Sequence, residues 1–149
     1  MPEEARVNDV TTTKQWRILD LHHVAFARGH DPTADEALCD LLGAQPHIEE
    51  GPGFTERMYG VGDAFVQMLE ATGPGVVQMF LDKRGPGLHH VAFTVDALAP
   101  ALEDLRARGV RLVDEVPRPG GMGSRIAFVH PAAFGGMLVE LVEPGATQA

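Results

Sequence analysis

The sequence predicts an α+β fold of two tandem β-α-β-β-β modules whose curved sheets enclose a cleft. Three observations predict it. The string LHHVAFA at residues 21–27 returns as LHHVAFT at residues 88–94, identical at six of seven positions. A repeat at that distance in a chain of 149 residues marks two similar halves. Each copy is followed by one amphipathic helical segment and then by short apolar runs that read as strands, separated by Gly- and Pro-rich breaks. On this division residues 1–16 form a flexible tail, 17–72 the first module, 73–87 a helical linker and 88–145 the second module. The two modules make one domain over 17–145.

Each element has a local reason. Leu19–Ala27 alternates as a strand. Asp31-Pro32 starts a helix, with Asp at the N-cap and Pro at the first position, and Gly43 ends it. Ala34, Leu38, Leu41 and Leu42 give that helix an apolar stripe. Pro46–Glu49, Phe54–Tyr59 and Ala64–Leu69 follow as strands. Gly73-Pro74-Gly75 opens a short helix over Val76–Lys83. Leu88–Val95 is the repeated strand, and Asp96 caps a helix carrying Leu98, Leu102 and Leu105 on one face, ended by Gly109. Arg111–Asp114, Arg125–Val129 and Met137–Val142 complete the second set of strands. Pro117–Gly123 reads as a Gly- and Pro-rich loop that either has a defined shape or touches a ligand.

Composition excludes several functions. With 44% hydrophobic residues the chain can bury a sizeable core. Its net charge of −9 argues against a nucleic-acid partner, because phosphate neutralisation needs clustered Lys and Arg. No apolar run approaches the ~20 residues of a membrane helix, and the N-terminus shows no apolar signal core. Cys39 is the single cysteine, so no intrachain disulfide forms, which fits a reduced, cytoplasmic setting.

Strand periodicity then sorts the histidines. His23, Ala25 and Ala27 share one face, and His22, Val24 and Phe26 the other. The repeat gives His90, Ala92 and Thr94 against His89, Val91 and Phe93. The small face leaves room in front of His23 and His90, and the bulky face suits packing on the helix. Gln67 and Glu140 interrupt the apolar last strand of each module. A carboxylate in an apolar strand is costly unless it is paired or holds a metal. His23, Gln67, His90 and Glu140 thus form a symmetric set of two nitrogens and two oxygens, which suits a divalent ion in a metal-binding cleft. Glu56 is a further carboxylate that can face the cleft as a base. Lys83, Arg84, Arg118 and Arg125 lie near loops and can hold phosphate or carboxylate.

The duplicated strand and this His, Gln, His, Glu set resemble the vicinal oxygen chelate superfamily over roughly residues 19–143. That group includes glyoxalase I, extradiol dioxygenases, fosfomycin-resistance enzymes and methylmalonyl-CoA epimerases. FLDKRGPGLHHVAFTVD, followed by RARGVRLVDEVPRPGGMGSRIAFVHPAAFGGMLVELVEP, is similar to the epimerase family through the whole second half. The first helix departs from it: DEALCDLLG lacks the aromatic pair usual before its closing Leu-Gly, which leaves the acyl group open between methylmalonyl and ethylmalonyl.

The resemblance implies metal ligands at His23, Gln67, His90 and Glu140, with Glu140 and Glu56 as acid/base groups. It implies an isomerase that interconverts the 2R and 2S epimers of methylmalonyl-CoA through a metal-stabilised enolate. It implies a divalent metal, cobalt first and manganese, zinc, nickel or iron as alternatives, and a homodimer. Lys83, Arg84 and Arg118 are then the residues to meet the coenzyme A phosphates. Two other readings share the fold: a glyoxalase I-like lyase or isomerase, and a non-catalytic ligand-binding protein. A dioxygenase fits less well, because its iron ligands cluster in one module.

Overall fold

The structure, a computed structural model, describes residues 14–145. The first module contains β1 (Ile18–Arg28), α1 (Pro32–Leu42), β2 (His47–Gly51), β3 (Phe54–Val61) and β4 (Ala64–Ala71). The helix α2 (Val76–Arg84) links it to β5 (Gly87–Val95), α3 (Leu98–Ala107), β6 (Arg118–Pro119), β7 (Arg125–Val129) and β8 (Val139–Glu143). The strands form one eight-stranded sheet in the order β2-β3-β4-β1-β5-β8-β7-β6. The two modules therefore join through the repeated strands. β1 runs antiparallel to β5 at the centre, and each is flanked by the last strand of its own module, parallel to it.

The helix signals act largely as the sequence predicts. The Asp31 carboxylate accepts the Ala34 N–H at 3.1 Å, and Gly43 closes α1 in the left-handed region at φ 64°. Three expectations are corrected. Asp96 does not cap α3; it accepts the Arg17 N–H at 2.7 Å, while Glu143 takes the Leu98 N–H at 2.9 Å. Arg111–Asp114 is not a strand but a single bridge between Leu112 and Val129. The Asp114 carboxylate takes the Phe128 N–H that a strand carbonyl would take, so the ladder stops there. Pairing resumes at Arg118–Pro119, inside the expected loop. Trp16, assigned to the tail, is buried in the second module and donates its indole N–H to Asp104 at 2.8 Å. Residues 1–13 of that tail lie outside the described residues.

The core sits mainly under α3, where Leu98, Ala101 and Leu102 pack on Val95, Val129, Val139 and Leu141. A smaller cluster places Val77 of α2 on Ala25, Ala27 and Leu69. The α1 stripe behaves differently. None of its residues is fully buried, and Leu41 is 79% exposed. Among the described residues no helix is long and apolar enough to cross a membrane.

Candidate metal centre and active site

Register assembles the site. Ala25 pairs with Gln67 on one side and His90 on the other, and Ala92 pairs with His23 and Glu140. Directly paired residues share a face, so all four polar side chains rise around two alanines that are fully buried. The small residues that the periodicity placed beside the histidines are thus the floor of the site.

Above that floor three donor atoms converge. His23 Nε2 and His90 Nε2 lie 3.0 Å apart, and each is 3.0 Å from Glu140 Oε1. All three residues are buried. Burial raises the Glu140 pKa, but hydrogen bonds to His23 and His90 outweigh it and bring it down to about 2. An ionised carboxylate and two imidazoles thus share one point. Adjacent ligands about 2.1 Å from an octahedral ion lie about 3.0 Å apart, so this spacing fits a divalent metal. Gln67 supplies an independent sign. Its Oε1 is buried and has no hydrogen-bond partner among the described residues. A buried orphan acceptor is costly unless something it binds is missing. The donor set therefore fits the metal that the sequence implied.

His89 packs on a helix as expected, its ring 4.9 Å from that of Phe80 in α2, whereas His22 meets Phe65 of β4 instead. Both line the cleft. His22 Nδ1 is 2.7 Å from His23 Nδ1, and His89 Nδ1 is 2.8 Å from His90 Nδ1. Burial, then the charge of the neighbouring histidine, lowers both pKa values, that of His89 to about 4. Held neutral, each can accept the Nδ1 proton of its neighbour and leave the Nε2 lone pair for a metal. The sign in the sequence was that the whole His-His pair repeats, not one histidine alone.

The cleft encloses about 550 Å³, with apolar walls that include Met58, Leu69, Ile126 and Val142. Glu56 lines it from β3, and Glu140 from β8. Burial, then the charges of Glu49 and Glu140, raises the Glu56 pKa. Glu49 and Ser124 also line the cleft and were not singled out by the sequence; Ser124 Oγ donates to the Gly121 carbonyl at 2.7 Å. Of the candidate anion ligands, Arg118 lines the cleft, pairs with Asp114 at 3.0 Å and lies over the Phe128 ring at 5.5 Å. Lys83 and Arg84 instead line an adjoining cavity of about 240 Å³, which shares Val76 and His89 with the cleft. Arg125 is exposed and pairs with Glu143 at 3.8 Å.

A duplicated β-α-β-β-β sheet with a His-His-Glu cluster split between the two halves defines a class of proteins that could hold a metal at the seam of the repeat. The chain belongs to the Glyoxalase/Bleomycin resistance protein/Dioxygenase superfamily, whose profile matches residues 22–128. Within it the chain is similar to the ethylmalonyl-CoA/methylmalonyl-CoA epimerase of Cereibacter sphaeroides, 31% identical over 81% of this chain and 95% of that protein. It is also similar to the crystal structure of methylmalonyl-CoA epimerase from Mycobacterium tuberculosis, with a TM-score of 0.82, 37% identity and 97% of each chain covered. The uncharacterised Bacillus subtilis protein YqjC is 40% identical over 91 residues; the match takes in 60% of this chain and 65% of YqjC, just under two thirds of that relative.

Proposed function

We propose that the chain epimerises the α-carbon of a 2-carboxyacyl-CoA thioester, methylmalonyl-CoA first and ethylmalonyl-CoA as its larger homologue. The observation that carries this reading is a pair of carboxylates, Glu56 on β3 and Glu140 on β8, that line one cleft with pKa values pushed in opposite directions. The activities of similar epimerases support the substrate class.

The chemistry needs two protein groups. The proton between a thioester carbonyl and a carboxylate is weakly acidic. One carboxylate takes it as the C–H bond breaks, and the electron pair moves onto the thioester oxygen. The other side of the planar carbon then receives a proton from the opposing carboxyl group. Glu56, its pKa raised by burial and the neighbouring carboxylates, suits that exchange, and Glu140 works from the far side. His23, His90, Glu140 and the Gln67 oxygen would hold a divalent ion, for which cobalt is our first choice. When bound, the ion would withdraw the charge that develops on the thioester oxygen. His22 and His89 orient the two ring ligands, and Ala25 and Ala92 leave them room.

We assign Arg118 to the part of coenzyme A at the cleft mouth, and Lys83 and Arg84 to its phosphates beyond Val76. A homodimer and a reducing, cytoplasmic setting belong to the same reading, the latter supported by the lone Cys39. The experiment is α-proton exchange followed by NMR in deuterated water, using metal-loaded protein and methylmalonyl-CoA. Deuterium incorporation that is faster than background and abolished by His90→Ala is the expected result. Absence of exchange with metal bound would reject this substrate in favour of a larger acyl group or a hemithioacetal.

A further inference from the structure

The sheet is open, with β2 and β6 as its two edges. The chain leaving β6 nonetheless crosses the cleft to reach β2. The Met122 N–H donates to Glu49 Oε1 at 2.9 Å, and that oxygen also meets His47 Nε2 at 2.9 Å. One residue earlier, the chain lies against the candidate acid/base group. A Cβ placed on Gly121 would stand 2.7 Å from Glu56 Oε1 and 3.5 Å from Glu49 Oε2. With a glycine at 121 the backbone covers Glu56 this closely without displacing its carboxylate.

The crossing segment is a built turn rather than slack chain. Gly120 N–H donates to the Ser124 carbonyl at 3.0 Å, and Ser124 N–H and Oγ both donate to the Gly121 carbonyl, at 3.1 and 2.7 Å. Its apex, Met122, has φ 58°, the one positive value at a non-glycine among the described residues. A non-glycine residue in that region is strained by about 1–2 kcal/mol and persists where its surroundings hold it. Among the described residues, the bond to Glu49 is the only hydrogen bond from this turn to the first module.

We propose that Glu49 is a positioning residue: it latches residues 120–124 across the cleft, so that Gly121 covers the Glu56 carboxylate and excludes water while substrate is held. This rests on the reading of Glu56 as an acid/base group. The bond from a backbone N–H to a carboxylate is charge-assisted, strong enough to hold a strained turn and reversible enough to release it when substrate passes. Glu49 needs only to accept the Met122 N–H; it touches no reacting atom.

The test uses the full-length, metal-loaded protein and two variants, Glu49→Ala and Glu49→Gln. Amide hydrogen exchange at Met122 reads the latch directly. Glu49→Ala should raise it roughly ten-fold, whereas Glu49→Gln, which keeps an acceptor oxygen, should restore most of the protection. In α-proton exchange of methylmalonyl-CoA, kcat should fall roughly ten-fold in Glu49→Ala, with metal content and KM close to the parent, and recover in Glu49→Gln. Unchanged Met122 exchange in Glu49→Ala would overturn the latch. So would equal loss in both variants, which would point to the Glu49 charge instead. Lost protection in Glu49→Ala in a parent that exchanges no α-proton would keep the latch and reject the epimerase reading.

Discussion

The two modules share strand order and the placement of their polar cleft residues, yet their undersides differ. Beneath α3 the second module is apolar: Leu98, Ala101 and Leu102 press on valines and Leu141. Beneath α1 the first module is charged. Arg28 pairs with Asp35, Arg57 Nε lies 3.7 Å from the other Asp35 oxygen, and Arg57 Nη1 donates to Glu70 at 2.7 Å. Arg28 and Glu70 are buried there. This explains why the apolar stripe of α1 stays half-open and why Leu41 points to water. The lesson is about where the constraint acts. The cleft face must match in both halves, because each half gives one imidazole to a shared point and sets a polar residue, Gln67 or Glu140, beside it. The opposite face only has to hold a helix, which a dry core or an ion-pair lattice can do.

The largest expected effects test the equality on the cleft face. His23→Ala and His90→Ala remove equivalent ligands from opposite modules. Each should weaken cobalt or zinc binding by at least about 100-fold and abolish α-proton exchange, and isothermal titration should rank them close together. A large gap between the two would mean that one module dominates the centre and that its symmetry is only of position.

Stability should separate the opposite faces. Leu102→Ala removes a fully buried side chain from under α3 and should cost about 3 kcal/mol in urea unfolding. Leu41→Ala, in the apolar stripe of α1 but largely exposed, should cost less than about 0.5 kcal/mol. Asp35→Asn lies between them. It leaves the guanidiniums of Arg28 and Arg57 short of a partner, and a loss of about 2 kcal/mol is expected. A smaller loss than Leu41→Ala would show that the ion pairs decorate α1 without holding it.

The cleft face was legible in the sequence and the opposite face was not. A strand's period of two separated His23 and His90 from their neighbours, and Gln67 and Glu140 stood out as polar residues in the apolar last strand of each module; the register of β1, β4, β5 and β8 puts all four on one face. The central pairing of β1 with β5 follows from the repeat. What α1 packs on depends on Arg28, Arg57 and Glu70, which read individually as surface charges and become a lattice only when three strands align them. Asp96 and Asp114 failed for a related reason. Each is a sound local cap or strand residue, but a distant backbone N–H competes for its carboxylate. Glu49 was unreadable because its partner, Met122, is 73 residues away.

The smallest effect is the most selective. Glu70 accepts hydrogen bonds from His30 at 3.0 Å and Arg57 at 2.7 Å. Burial pushes its pKa up, but those bonds outweigh it, and the net shift is below the ordinary 4.5. A carboxylate with a depressed pKa in the folded state contributes stability above its unfolded pKa and loses it as pH falls through the folded value. The stability gap between the parent and Glu70→Gln should therefore be full near about pH 6 and close progressively below about pH 4. The penalty of Leu102→Ala involves no titrating group and should stay constant across the same range. Urea unfolding of all three proteins at several pH values measures both trends at once. Parallel behaviour of the two variants would mean that acid acts on the whole sheet, and that the charged underside of the first module carries no stability of its own.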